Sequence, residues 1–175
     1  KVMQGINFHL MEAGELAITV VDAEPVDASF HARFSATRRH YCYRIIQRRS
    51  RLALERDRAW LVVETLDINA MQQATTLLRG HHDFTSFRDS ECQAKSPIKT
   101  LDRLDVKCIG NEIQLITDAR SYLHHQVRIM TGTLVQVGKG RLAPHDISSI
   151  LAAKQRSAAG PTAPPEGLYL MKVEY

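Results

Sequence analysis

Basic and aromatic side chains are interleaved in residues 30–49, FHARFSATRRHYCYRIIQRR. The pair Arg38 and Arg39 comes directly before His40 and Tyr41. Guanidinium groups bind phosphate oxygens and aromatic rings stack on bases, so this pattern favours a nucleic-acid surface. The alternative is a strand whose exposed face carries solvated arginines, and this stretch alone leaves both interpretations open.

The positive charge of the chain is concentrated around the same stretch. The 175 residues carry a net charge of +4 with a pI near 9.1, which permits a polyanionic partner without requiring one. Nine arginines lie between Arg33 and Arg58, and only Glu55 and Asp57 offset them. Such a cluster can neutralise several phosphates together through counterion release.

A second candidate for chemistry is Arg128, which lies in residues 120–132, RSYLHHQVRIMTG. On a helix, His124 and Arg128 would share one face because they are four residues apart. An arginine beside an apolar stripe can be held rigidly and pointed into a cleft. A solvated surface arginine is the alternative.

Arg88 lies in a third stretch, DFTSFRDSECQ (83–93), together with two phenylalanines. We expect Phe84 and Phe87 to pack in the core, since large aromatic side chains are usually buried. This stretch therefore predicts packing first and binding second.

Motifs for metal, hydrolase and nucleotide chemistry are absent. The histidine pairs at 81–82 and 124–125 are sequence neighbours, which diverge on a helix or a strand and so make poor metal ligands. No G-x-S-x-G motif occurs, and GKGR at 138–141 follows a predicted helix, unlike a phosphate loop. The three cysteines fit no zinc spacing, and their odd number indicates a reduced compartment. No apolar run approaches the roughly 18 residues of a membrane span.

Hydrophobic periodicity predicts the elements that position these residues. The predicted strands are 16–26, 37–49, 58–64 and 168–175, with a β-hairpin over 100–119 that turns at 110–111. The predicted helices are 66–80, 123–137 and 146–154. Asp67 is expected to cap the first helix, and Gly138 is expected to end the second. Residues 157–167 should lack regular structure. The class is therefore α+β, with a mostly antiparallel sheet and helices on one face.

Four motifs extend these interpretations: FHARFSATRRHYCYRI, HDFTSFR, YLHHQVRIMTGTLVQVGKG and EGLYLMKVEY. In this order and spacing they resemble the tRNA pseudouridine synthase A family over nearly the whole chain. The resemblance implies isomerisation of uridine to pseudouridine at positions 38, 39 and 40 of the tRNA anticodon stem-loop. It also implies the fold of a pseudouridine synthase catalytic half-domain, and a cytoplasmic homodimer that acts on tRNA without a cofactor or metal.

The resemblance also implies roles for individual residues. Tyr41 aligns with the first tyrosine of the family's R-R-Y-x-Y pattern, which stacks on the target uracil. His40 stands where the second arginine of that pattern is usual, so a phosphate contact there would become weaker or pH-dependent. Arg128 aligns with the arginine of the H-H-x-V-R helix, which approaches the catalytic aspartate and helps hold the flipped-out nucleotide. The expected catalytic residues are Arg128 and Tyr41, and the expected substrate contacts are Tyr41, Arg38, Arg39, His40, Arg88, His124 and His125.

The chain departs from the family at the catalytic aspartate. The family's G-R-T-D-A-G-x-H-A motif does not occur in these residues, and no aspartate has that context. We therefore expect the C-terminal portion of a longer synthase. Residues 1–29 would end the first half and cross over, and residues 30–175 would form the second half-domain. A non-catalytic tRNA- or RNA-binding module and a dimer that binds nothing tightly are the alternatives.

Overall fold

Six strands form the sheet of the computed structural model, which describes residues 1–175. They are β1 (Arg38–Gln47), β2 (Trp60–Val62), β3 (Gly80–Asp83), β4 (Ile98–Ile109), β5 (Glu112–Ala119) and β6 (Leu168–Glu174). The order is β2-β1-β5-β4-β3, and β6 also pairs with β1. Every pairing is antiparallel except that of β1 with β2. The predicted mostly antiparallel α+β fold is confirmed.

Four helices accompany the sheet: α1 (Val2–Glu12), α2 (Ile68–Leu78), α3 (Gln126–Gly138) and α4 (Asp146–Ala153). The three predicted helices correspond to α2, α3 and α4. Nearly every residue of α3 is buried, because this helix lies in the core with α2 and the inner face of the sheet. No helix is both long and apolar enough to cross a bilayer.

Local signals in the sequence set several element ends. The Asp67 side chain accepts a hydrogen bond from the backbone N–H of Ala70 at 2.9 Å and caps α2 as predicted. The hairpin of β4 and β5 turns where expected, with Gly110 at φ +62°. Gly138, however, is the last residue of α3 rather than its stop. An added Cβ there would lie 2.8 Å from the sulfur of Met71, so a larger residue would require the Met71 side chain on α2 to move.

One prediction near the N-terminus was wrong, and one helix there was not predicted. Residues 16–26 form no strand, because no other strand pairs with them; instead the Asn7 side chain exchanges two 2.8 Å hydrogen bonds with the backbone of Val20. The helix α1, which carries Asn7, was not predicted. The chain divides into two compact units, Lys1–Ser35 and Ala36–Tyr175.

The core of the second unit lies between the sheet and the helices α2, α3 and α4. Phe84 and Phe87 are fully buried there, as predicted. Tyr43 and Ile45 point into the same core from β1, so the period-two pattern of that strand is also confirmed. Residues 157–167 are less irregular than expected, since two short 3₁₀ turns cover Arg156–Ala158 and Pro165–Gly167.

On the opposite face of β1, Arg44 forms a bidentate ion pair with Glu112. Arg44 donates from Nε and from one terminal nitrogen to the two carboxylate oxygens of Glu112 on β5, each at 2.8 Å. These hydrogen bonds lower the pKa of Glu112 to about 2. We expect Glu112→Gln to reduce the free energy of unfolding at neutral pH by about 2 kcal/mol.

The pH dependence of this loss has a defined sign. A carboxyl whose pKa is lower in the folded state stabilises the fold above its unfolded pKa, here 4.5. That stability disappears as the pH falls through the folded pKa. Urea unfolding between neutral pH and about pH 2 should therefore show the difference between variant and wild type shrinking with acid. Glu91→Gln, at an exposed position, is the matched control, and a difference that stays constant would contradict the assignment.

Candidate active site

Arg128 lies in the first turn of α3 and is tied to the segment 159–163. Its Nε donates to the carbonyl oxygen of Ala163 at 2.7 Å, and the backbone N–H of Ala163 donates to the Arg128 carbonyl oxygen at 3.1 Å. The two terminal guanidinium nitrogens form no hydrogen bond or ion pair within the chain. A guanidinium fixed through Nε with both terminal nitrogens open can bind a carboxylate or a phosphate.

Close backbone packing holds the segment 159–163 against α3. A Cβ added to Gly132 would lie 1.8 Å from the carbonyl oxygen of Pro161, so the two backbones approach where only glycine fits. The hydroxyl of Thr133 accepts a hydrogen bond from the Gly160 N–H at 2.9 Å. Arg156 also donates to the Gly160 carbonyl at 2.9 Å. The partner of Arg128 is therefore itself fixed.

Tyr41 is half-buried on β1, on the strand face that points toward the helices. Its ring meets the ring of Tyr122 edge to face, with centroids 5.2 Å apart. The Tyr122 hydroxyl in turn lies 3.0 Å from the hydroxyl of Thr117. Burial raises the pKa of Tyr122, which therefore stays neutral beside Tyr41 at physiological pH. These contacts hold the Tyr41 ring in one orientation.

Tyr43 links the surroundings of Tyr41 to those of Arg128. It lies two residues further along β1 on the same face, and its hydroxyl donates to the carbonyl oxygen of Pro164 at 2.6 Å. Burial raises the pKa of Tyr43, and the nearby charge of Arg128 opposes that rise. Because Pro164 adjoins Ala163, a continuous set of contacts joins β1 to the arginine on α3.

The predicted basic contacts at the start of β1 have partners inside the chain. Arg38 lies 3.7 Å from the carboxylate of Asp102, and the two side chains are 47% and 38% exposed. Arg39 donates to the carbonyl oxygen of Arg120. The exposed pair of Arg38 is weak and can exchange its carboxylate for a phosphate at small cost.

His40 lies between two carboxylates. Its Nδ1 is 2.8 Å from Asp118, which is its register partner on β5, and its Nε2 is 3.2 Å from Glu174 on β6. Asp118 is also 3.8 Å from Arg103. A phosphate at His40 would therefore have to compete with both carboxylates. Sequence reasoning missed these partners because it gave no pairing for β1.

Arg88 is folded back on its own loop. One terminal nitrogen donates to the carbonyl oxygens of Cys92 and Ala94 at 2.7 and 2.8 Å. This arginine therefore shapes the loop 88–94. Its contacts favour a structural role over the predicted binding role.

His124 and His125 precede α3, so the predicted helical face shared by His124 and Arg128 does not exist. His125 has a left-handed backbone, φ +57°, which stacks the two imidazoles with centroids 3.9 Å apart. Their Nδ1 atoms lie 3.7 and 3.0 Å from the oxygens of Asp89. The three side chains place one potential ligand atom each within 4.8 Å of one another, so they could hold a metal ion. Neighbouring histidines diverge on a helix or a strand, but His124 and His125 lie in neither, so their side chains converge.

Comparison with known proteins identifies the family of this chain. A family model described as tRNA pseudouridine synthase matches residues 74–175, which include Arg88, His124 and Arg128. Over all its 175 residues the chain is 55% identical to tRNA pseudouridine synthase A of Rhodopseudomonas palustris strain BisA53, of which it covers 70%. The chain belongs to the tRNA pseudouridine synthase family.

Two further relatives match over the same full length. The tRNA pseudouridine synthases A of Bradyrhizobium sp. strain BTAi1 and Nitrobacter winogradskyi are 54% and 55% identical, and the chain covers 70% and 68% of them. The predicted family is confirmed, and the family is one of isomerases. These tRNA pseudouridine synthases are longer than the 175 residues described here.

In this family member, the sequence predicted roles for Arg128 and Tyr41 but not the residues that hold them. Tyr122, which orients Tyr41, and Ala163, which fixes Arg128, were both missed. The only sequence signal for Ala163 was the glycine-rich and proline-rich composition of 157–167, which indicates close backbone contacts without naming their partner.

Proposed function

We propose that this chain supplies the uracil-binding tyrosine and the active-site arginine of an enzyme that converts uridine to pseudouridine in tRNA. The proposed targets are positions 38, 39 and 40 of the anticodon stem-loop. The observation that carries the proposal is Arg128, whose guanidinium is fixed through Nε while its terminal nitrogens have no partner. A cytoplasmic homodimer that needs no cofactor belongs to the same proposal.

The reaction requires these residue types. The bond between C1′ and N1 breaks, the free uracil rotates, and C1′ bonds to C5; the C5 proton leaves and N1 gains one. A stacked base is inaccessible, so the nucleotide must flip out at a cost of a few kcal/mol. Stacking on Tyr41 would return about 1–3 kcal/mol of that cost.

A carboxylate must then act at the sugar, either as a nucleophile at C1′ or as a base on the ribose. A guanidinium such as Arg128 keeps that carboxylate ionised and fixes its direction. No aspartate or glutamate of the chain forms an ion pair with Arg128. This supports the proposal that the carboxylate comes from outside these residues.

Tritium release from tRNA labelled at uridine C5 tests the proposal. The 175-residue chain alone, at high concentration, is expected to release none, whereas a protein of the relatives' full length should release tritium. Release by the chain alone would place the carboxylate among its own aspartates. If the longer protein binds tRNA in a salt-sensitive way but releases no tritium, the arginine-rich RNA-binding module is the correct alternative.

Two substitutions separate the ring of Tyr41 from its hydroxyl. Tyr41→Phe keeps the stacking face, so kcat/KM of the full-length enzyme should stay within a few-fold of wild type. Tyr41→Ala removes the face and should lower kcat/KM by about 10- to 100-fold, the equivalent of one lost stack. If both variants lose activity equally, the hydroxyl rather than the ring carries the function, and a proton relay through this phenol becomes the explanation.

A further inference from the structure

The connection between β1 and β2, residues 48–59, holds most of the net charge of the chain. Five arginines stand there against Glu55 and Asp57, which gives +3 in a chain whose total is +4. The arginines are Arg48, Arg49, Arg51, Arg56 and Arg58. None of them contacts Arg128 or Tyr41 of the candidate active site.

Only one of these arginines, Arg48, is held by several contacts within the chain. Arg48 donates to the carbonyl oxygens of Ser50 and Arg51 at 3.2 and 3.0 Å, and it lies 3.7 Å from Glu55. Arg56 pairs with Asp57 at 3.5 Å, but both side chains are 79% exposed, so this pair contributes little. The guanidinium of Arg51 forms no hydrogen bond or ion pair in the chain. Arg51 and Arg56 are therefore available to an anion.

An open cleft of about 820 Å³ lies under this connection. Arg51 and Arg56 line it, and so does the indole of Trp60. The Trp60 ring is held edge to face against Tyr43, with centroids 6.3 Å apart. Cationic side chains beside an aromatic ring are the combination with which proteins bind the backbone and bases of single-stranded nucleic acid. Asp57 and Glu166 also line the cleft, and Arg51 and Arg56 are the lining residues that can attract a phosphate.

The cleft shares a wall with the candidate active site. Pro164 lines the cleft, and its carbonyl oxygen accepts the hydroxyl hydrogen of Tyr43. The preceding residue, Ala163, is the one that fixes Arg128. The cleft therefore adjoins the segment 159–163 that holds Arg128.

We propose that this cleft is a second RNA-binding site, where Arg51 and Arg56 bind phosphates and Trp60 stacks on a base of the nucleotides flanking the target uridine. The inference rests on the proposed function, because it takes the same tRNA strand as its ligand. Its ligand class is single-stranded RNA within the anticodon loop.

Trp60 is the only tryptophan of the chain, so its fluorescence reports on this cleft alone. The 175-residue chain would be titrated with an anticodon stem-loop RNA at several salt concentrations. The RNA is expected to quench Trp60. The double variant Arg51→Gln, Arg56→Gln should need about tenfold more RNA, and its salt slope should fall by about 1.4, since each lost single-strand phosphate contact removes about 0.7.

A charge-matched double variant, Lys107→Gln with Lys154→Gln, removes two cations outside the cleft and is expected to leave the quenching curve near that of wild type. Equal curves for the two double variants would overturn the proposal, as would binding seen by anisotropy without any change in Trp60. An arginine effect that appears with whole tRNA but not with the stem-loop would also overturn it. Tritium release is a separate readout, so failure of the proposed function is distinguishable from failure of this site.

Discussion

Arg128→Ala is expected to lower tritium release by the full-length enzyme by on the order of 100- to 1,000-fold, as for other removed groups that stabilise charge at a reacting centre. The physical reason is the geometry of the guanidinium. Nε is bound to Ala163 at 2.7 Å, and only the terminal nitrogens remain for the incoming carboxylate. Without the terminal nitrogens of Arg128, the carboxylate loses its bidentate partner. The pKa of the carboxylate then rises toward that of an ordinary carboxylic acid.

Controls separate this role from a structural one. Arg128→Lys keeps the charge but not the planar fork, so it should recover only part of the activity. Added free guanidinium should partly restore the alanine variant, because the lost group is replaced in solution. Lys107→Ala, on the exposed side of β4, is the surface control. Full activity in a folded Arg128→Ala variant, whose melting temperature is close to that of wild type, would remove the assigned role.

Gly132→Ala is expected to destabilise the fold by about 3 kcal/mol and to lower activity at the same time. The new Cβ would lie 1.8 Å from the carbonyl oxygen of Pro161 and 2.9 Å from its carbon. Both are backbone atoms, so no flexible side chain can move aside. The segment 159–163 must shift, and it carries the Ala163 carbonyl that fixes Arg128.

Gly5→Ala is the matched control, since Gly5 also lies within a helix and an added Cβ there meets no atom within 4 Å. That change should be neutral or stabilising by up to about 1 kcal/mol. Thermal unfolding and tritium release measure both variants. If Gly132→Ala melted like wild type, the close contact between α3 and the segment 159–163 would not exist in solution.

The sequence alone determined the features that depend on neighbouring residues. The alternation of residues 37–49 predicted β1, the glycine at 110 predicted the hairpin turn, and Asp67 predicted a cap. Each of these signals depends on only a few neighbouring residues, so it can be recognised without knowing the tertiary structure. The order of four motifs likewise identified the family, because motif order is a property of the chain itself.

The tertiary structure decided which groups touch one another. His40 meets Asp118 and Glu174, which are 78 and 134 residues away, and Arg128 meets Ala163 across 35 residues. Periodicity says which way a strand residue faces, but not which strand lies beside it. The left-handed backbone of His125, which stacks it on His124, likewise belongs to neither regular pattern. The sequence therefore indicated candidate site residues, whereas the contacts that fix Arg128 and Tyr41 arise only from packing between distant segments.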